Sequence, residues 1–186
     1  MECIVANEQV ITLGGGCFWC TEAVFERVRG ITALQSGYAN GRVERAPSYE
    51  EVCSGSTGCV EVVQLRFDPS QISLQSVLEI FFATHDPTQL DRQGNDVGTQ
   101  YRSGIYYSEP EHGQIAREMV RELQAEGIFT APVVTEIVPL AAFWPAETYH
   151  QEYYRNNPDQ AYCSFVVGPK VAKFRKAFAT HLKEGA

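Results

Sequence analysis

Seven residues, Gly14-Gly15-Gly16-Cys17-Phe18-Trp19-Cys20, restrict what the chain around them can be. Three glycines in a row weaken any helix or strand that contains them, yet they let the backbone take positive φ or pass very close to a neighbour. Before them, Val10-Ile11-Thr12-Leu13 reads as a buried strand; after them, Thr21 to Val28 reads as a helix ended by Gly30. Cys17 therefore falls where a strand turns into a helix. The unpaired N–H groups of a first helical turn and the positive end of the helix dipole favour a thiolate there. The expectation is a nucleophilic cysteine; the plainer alternative is a buried structural thiol after a glycine turn.

At 186 residues the chain can bury a substantial core, and with no linker-like stretch it is expected to form a single domain over residues 1–186. The net charge of −8 speaks against nucleic acid or an anionic membrane surface as partner, since both select basic patches. No apolar run reaches the length needed to span a membrane. Met1-Glu2-Cys3-Ile4-Val5 lacks the basic start and long apolar core of a signal peptide, so a cytoplasmic location is expected. Six cysteines are too few for a secreted disulfide scaffold of this length; in a reducing compartment they serve catalysis, bind metal or stay inert. Nothing demands a second chain, and a monomer is expected.

Further along, Ile31 to Tyr38 reads as a strand closed by Ala39-Asn40-Gly41, and Pro47 to Val52 as a short helix. The strand Cys59 to Phe67, stopped by Asp68-Pro69, carries the second chemical signal. Side chains alternate along a strand, so Glu61 shares a face with Val63, Leu65 and Phe67. A carboxyl on an apolar face is costly when charged, so its pKa rises and it can serve as a proton donor near neutral pH. The alternative is that fraying at the strand end lets Glu61 reach water. Ser73 caps a helix with Leu74, Val77, Leu78, Phe81 and Phe82 on one face, ending near His85-Asp86-Pro87. Thr88 to Gly98 is a polar loop of the length that often carries function. Tyr101 to Tyr107 reads as a strand, Ser108 to Gly127 as a helix, Val133 to Val138 as a strand and Pro145 to Tyr154 as an aromatic-rich helix. A loop at 156–160 leads to Cys163, and a last amphipathic helix runs from Lys170 to Lys183. Strands alternate with helices, but some connections are too short for crossovers. The expected fold is α+β: a two-layer α/β sandwich with a mixed sheet, a ferredoxin-like core and an irregular C-terminal segment.

Cys17-Phe18-Trp19-Cys20 is formally C-x-x-C before a helix, the context of a disulfide oxidoreductase. Two large aromatics between the cysteines fit that role poorly and instead suggest an apolar pocket beside the thiol. Zinc is the other use of C-x-x-C, but Cys53 and Cys59 do not make the second short pair, and His85, His112, His150 and His181 are scattered. No metal is expected.

Gly16-Cys17-Phe18-Trp19, Gly37-Tyr38, Pro47-Ser48-Tyr49, Cys53-Ser54-Gly55, Gly58-Cys59-Val60-Glu61, His85-Asp86-Pro87, the run from Gln93 to Ser103, and His150-Gln151-Glu152-Tyr153 together resemble peptide methionine sulfoxide reductase A. The resemblance spans residues 11 to 163 in order. It implies reduction of the S epimer of methionine sulfoxide, free or in proteins, as repair after oxidation. On that likeness Cys17 is the nucleophile, Glu61 the acid at the sulfoxide oxygen, and Tyr49 and Tyr101 hydroxyl donors to the same oxygen. Phe18 and Trp19 would hold the methyl group, Asp96 would orient substrate or a water, and His150 and Tyr153 would line the site. Cys163 is implied as the resolving cysteine, since the family usually places it there and a polar, proline-containing loop precedes it; Cys20 is its competitor. Cys3 and Cys53 would be inert. In the family Cys20 is often glycine and Cys59 often histidine. The resemblance further implies a Cys17–Cys163 disulfide recycled by thioredoxin, with no cofactor. Two rivals stand beside this: thiol exchange through Cys17 and Cys20, and a non-enzymatic module that binds oxidised or methionine-containing peptides.

Overall fold

Apolar alternation and short turns shape the sheet of the computed structural model, which describes residues 8–185; Cys3 lies outside them. The strands are β1 (Gln9–Gly14), β2 (Ile31–Ala39), β3 (Val60–Phe67), β4 (Arg92–Gln93), β5 (Asp96–Val97), β6 (Gly104–Tyr107), β7 (Glu136–Pro139) and β8 (Phe143–Pro145). The helices are α1 (Phe18–Phe25), α2 (Tyr49–Cys53), α3 (Leu74–Thr84), α4 (Pro110–Ala125), α5 (Tyr153–Asn156) and α6 (Gly168–Ala177). One sheet runs in the order β7-β6-β1-β3-β2-β8. Its neighbours pair antiparallel except β6 and β7, which run parallel. The path β1-α1-β2-β3-α3-β6, with spatial order β6-β1-β3-β2, is the expected ferredoxin-like core within a mixed sheet.

The main core lies between this sheet and its helices. Ile11, Leu13, Val63, Leu65, Phe67 and Ile105 meet Ala23, Val24 and Phe25 of α1, Val77, Leu78 and Phe81 of α3, and Val171 and Phe174 of α6. A smaller cluster, Ala39, Val60, Val62 and Tyr106 with Leu140 and Phe143, closes the other face. The two-sided burial of Val60 to Val63 lets the carboxyl between them be buried as well. The register sets Glu61 opposite Tyr38 and Val63 opposite Leu13, which brings the end of β1 and the start of α1 beside it.

Several expected elements take a different form. Thr88 to Gly98 contains the β4–β5 hairpin. Tyr101 is on a 3-10 turn, Thr99–Tyr101, and the strand begins only at Gly104. Arg102, which ends the turn, holds its guanidinium on the Gly58 carbonyl at 3.2 Å and on Glu136 at 3.0 Å. Pro145 to Tyr154 is no single helix: Phe143–Pro145 pairs with the edge of β2, Thr148–His150 makes a 3-10 turn, and α5 starts at Tyr153. Glu152, at φ +52°, breaks the path between the two turns. The final helix ends at Ala177, and Leu182 instead bridges back to Val28. Among the described residues no helix is long and apolar enough to cross a membrane.

Candidate active site

Cys17 is the N-cap of α1, with Phe18 and Trp19 its first two helical residues. Gly16, at φ +89°, makes the turn: a Cβ there would lie 2.6 Å from Gln93 Cβ, so only glycine lets the hairpin pack on this bend. Gln93 in turn is tied to the backbone of Asp86 in both directions, through Asp86 N–H at 3.0 Å and Asp86 C=O at 3.0 Å. The bend is thus clamped by side-chain to backbone bonds.

Glu61 is 1% exposed, and its Oε2 accepts the Phe18 N–H at 3.1 Å. The orphan amide at the start of α1 is satisfied by the acid itself, which fixes the carboxyl beside the thiol. Burial raises the pKa of Glu61 to about 8; the Phe18 amide works against the shift and Asp96 adds to it. Glu61 is therefore largely a neutral acid at pH 7. This matches the carboxyl expected from its place on β3.

For Cys17 the expectation of easy ionisation is corrected. The residue is 8% exposed, and burial, then Glu61 and Cys20, push its thiol well above the ordinary value. The Trp19 N–H and Tyr162 hydroxyl pull the other way without prevailing. Desolvation outweighs the helix start because the thiol is buried with an acid next to it. The resting pair is thus neutral thiol beside neutral carboxyl.

Aromatic rings pack beside this buried pair. Trp19 stacks on Tyr153 with centroids 3.7 Å apart and planes within 5°. Trp19 Nε1 donates to His150 Nδ1 at 3.1 Å, which places the proton of a neutral imidazole on Nε2, 3.8 Å from Glu147. Burial keeps His150 neutral by pushing its pKa down. Its ring also packs on Phe18 at 5.0 Å and Tyr49 at 4.6 Å. Tyr49 is the first residue of α2, whose start is fixed by the Ser48 and Glu51 capping box and by Tyr49 N–H donating to Glu147 at 2.8 Å. Burial first, then Cys53 and Glu61, raises the Tyr49 pKa. Burial, then Glu61 and Cys17, does the same at Tyr101. Both hydroxyls stay protonated and can donate.

The late segment packs on the same helix start. Tyr162 donates to Asp96 Oδ2 at 2.6 Å, lies 3.9 Å from the Cys20 sulfur and meets Trp19 edge-on at 5.8 Å. Cys163, next in sequence, is fully buried in a single π-helical turn, Cys163–Val167, and packs in the core. The expected swinging loop thus ends in a packed turn. Cys20 is 3% exposed inside α1, with its pKa raised by burial and Lys170 acting against the rise.

A family model for peptide methionine sulfoxide reductase matches residues 9–182. The chain belongs to the peptide methionine sulfoxide reductase family. A relative from Ralstonia nicotianae, peptide methionine sulfoxide reductase MsrA, is 52% identical over 179 residues, covering 94% of this chain and 93% of that protein. Among solved structures, Mxr1 from Saccharomyces cerevisiae in reduced form is similar with a TM-score of 0.78 and 35% identity, over 87% of this chain and 92% of that chain. Mxr1 in complex with Trx2 is similar with a TM-score of 0.55 and 25% identity, over 82% and 89%. As a family member the chain is an oxidoreductase that reduces methionine sulfoxide.

Within this reductase, Cys17, Phe18, Trp19, Tyr49, Glu61, Tyr101, His150 and Tyr153 are drawn to one place, with Asp96 joined through Tyr162. Cys53 is not remote either: its thiol neighbours Tyr49 and feels Glu61. Sequence reasoning missed Tyr162, whose only signal was its place beside Cys163. It also missed Glu147, which accepts from Tyr38 at 2.7 Å and from the Tyr49 N–H; in sequence it was one more polar residue of a presumed helix. Among the described residues no group of three or more His, Cys, Asp or Glu could hold a metal.

Proposed function

We propose that the chain reduces the S epimer of methionine sulfoxide through Cys17, with Glu61 as the acid. The observation that carries this is the buried Glu61 carboxyl bonded to the amide next to Cys17, which fixes the acid beside the residue that carries the thiol. Sulfoxide oxygen is a poor leaving group until protonated, and general acid assistance is worth about 10²–10⁴ in rate. The thiol proton passes by way of Glu61 to the sulfoxide oxygen while the Cys17 sulfur attacks the substrate sulfur. An S–S bond forms as the protonated S–O bond breaks and the oxygen leaves as water, taking one further proton from solvent. A water then attacks the Cys17 sulfur, the S–S bond breaks, methionine departs, the proton returns to solvent and Cys17 is left as a sulfenic acid, oxidised by the two electrons the sulfoxide gains. Tyr49 and Tyr101 donate to the same oxygen and stabilise its developing charge. Phe18 and Trp19, with His150 and Tyr153 behind them, hold the methyl group. A methyl pocket on one side and oxygen donors on the other admit one hand of a chiral sulfoxide. Asp96 orients the substrate chain.

The sulfenic acid then condenses with the Cys163 thiol, forming the Cys17–Cys163 disulfide and releasing water. Supporting this, Cys163 follows Tyr162, which already lies against Trp19 and Cys20; a local opening of one turn brings the sulfur forward. Thioredoxin returns the dithiol by exchange, a reading supported by the relative known in complex with Trx2. No cofactor enters these steps. We assign the whole of 1–186 to one catalytic domain and expect a cytoplasmic monomer, in keeping with thiol chemistry that needs a reducing compartment. The test is a single turnover without reductant, using fully reduced protein and each epimer of N-acetyl-methionine sulfoxide. One methionine per chain from the S epimer alone, with a mapped Cys17–Cys163 bridge, is expected. A Cys17–Cys20 bridge would move the resolving role, and no methionine from either epimer would overturn the reading.

A further inference from the structure

Glu22 is a buried carboxylate that the chemistry above does not use. It lies on α1, one turn beyond Phe18 and Trp19, and is 2% exposed. Its two oxygens accept three hydrogen bonds. Oε1 takes the Glu152 N–H at 3.0 Å and the Ser36 hydroxyl at 3.2 Å; Oε2 takes the Tyr153 N–H at 3.2 Å. Among the described residues no Lys, Arg or His forms a salt bridge with it. Burying a carboxyl without a cation is costly, and three donors are what make it tolerable.

Those donors are placed where the polypeptide most needs a fixed anchor. Glu152 is in the left-handed region, φ +52°, and α5 begins directly after it. A helix start exposes unpaired amides, and here the side chain of another helix caps them. The result is that Tyr153, the first residue of α5, is hung from the same α1 that carries Trp19, on which its ring stacks at 3.7 Å. Gln151 strengthens the junction. Its amide accepts from Ser36 N–H at 3.0 Å and donates to Ser36 C=O at 3.0 Å, so a side chain continues the β2 edge where β8 stops. Ser36 therefore touches both anchors, Glu22 and Gln151.

We propose that Glu22 is a positioning residue for substrate recognition: by capping the amides of Glu152 and Tyr153 from α1, it holds the Tyr153 ring on Trp19 and so sets the depth of the methyl pocket. This rests on the reading of Trp19 and Tyr153 as the pocket wall. Glu22 touches neither Cys17 nor Glu61 by hydrogen bond among the described residues, so it acts on binding and leaves the chemical step alone.

The test compares the wild type with Glu22→Gln, Ser36→Ala, Tyr153→Ala and the double variant Glu22→Gln/Tyr153→Ala. The readouts are KM and kcat for N-acetyl-methionine-S-sulfoxide, and Trp19 fluorescence in a Trp144→Phe background. Glutamine keeps the shape but turns an NH2 toward one of the amide donors, leaving a donor facing a donor. Glu22→Gln is expected to raise KM about tenfold with kcat within about threefold, and to shift the Trp19 emission as stacking is lost. Ser36→Ala, which removes one bond of the three, is expected to raise KM about twofold; it carries the test if Glu22→Gln does not fold. In the Tyr153→Ala background Glu22→Gln should raise KM no further, because its effect passes through that ring. A lowered melting temperature with KM and Trp19 emission unchanged, while Tyr153→Ala still raises KM, would overturn the proposal and leave the pocket reading intact. If Tyr153→Ala leaves KM unchanged as well, the wall itself is misassigned and the proposal falls with it.

Discussion

Two regions meet at the active site and are built in opposite ways. The half formed by β1, α1 and β3 carries Cys17 and Glu61 on regular elements whose backbones are held by the sheet and the first helical turn. The half formed by 143–167 carries His150, Tyr153, Tyr162 and Cys163 on short turns, pinned by side chains reaching across the sequence: Glu22 to 152 and 153, Gln151 to Ser36, Glu147 to Tyr49, Tyr162 to Asp96. Reacting groups need fixed geometry, and regular elements supply it. On the proposal that Cys163 resolves the sulfenic acid, its segment opens once per cycle and benefits from anchors that can be let go one at a time.

The comparison breaks first at Cys17. Cys17→Ser is expected to abolish methionine formation, a loss of at least about 10⁴-fold, because an alcohol is a far weaker nucleophile than a thiol; methionine release from the S epimer measures it. Glu61→Gln keeps the acceptor for the Phe18 amide but has no proton to give, so the single-turnover rate should fall about 10²–10³-fold with little change in substrate affinity. In the late segment the pattern changes. Cys163→Ser should leave the first turnover near the wild-type rate while thioredoxin-supported turnover falls at least about tenfold, with the sulfenic acid trapped by dimedone. If the first turnover failed as well, the division between the two halves would not hold.

The two halves also differ in how far they could be read from sequence. The glycine bend, the helix behind Cys17 and the inward face of Glu61 follow from local residue type and period-2 alternation, and the ferredoxin-like core follows from the order of strands and helices. The Cys17 thiol reads in sequence as easily ionised and the structure reverses this, because its ionisation depends on burial and on Glu61 beside it, which no local pattern states. In sequence the late segment reads as one helix from Pro145 to Tyr154, since its composition suits one. Its turns come from long-range bonds: Gln151 and Glu22 capture backbone groups across more than a hundred residues. Tyr162 was invisible for the same reason, as Asp96, its partner, is 66 positions away.

A smaller effect sharpens the contrast. Tyr162→Phe keeps the ring on Trp19 but frees Asp96, and about a two- to fivefold rise in KM is expected, with the rate of the first turnover unchanged. Stability gives an independent check on Glu61. Its folded pKa is raised, so the folded state binds the proton more tightly than the unfolded chain. The stabilisation is fully present below about pH 4.5 and is lost as pH rises toward about 8. The melting temperature of the wild type should therefore drop between pH 5 and pH 9 by more than that of Glu61→Gln, as scanning calorimetry would show.

The most direct measurement is the pH profile of the single-turnover rate at saturating methionine-S-sulfoxide, in wild type and Glu61→Gln. With Glu61 as the acid, the wild-type rate should hold through neutral pH and fall about tenfold per unit above about pH 8, while Glu61→Gln, slower throughout, shows no limb there. The same limb in both proteins would contradict the assignment of Glu61 as the proton donor, and with it the account of how the buried pair works.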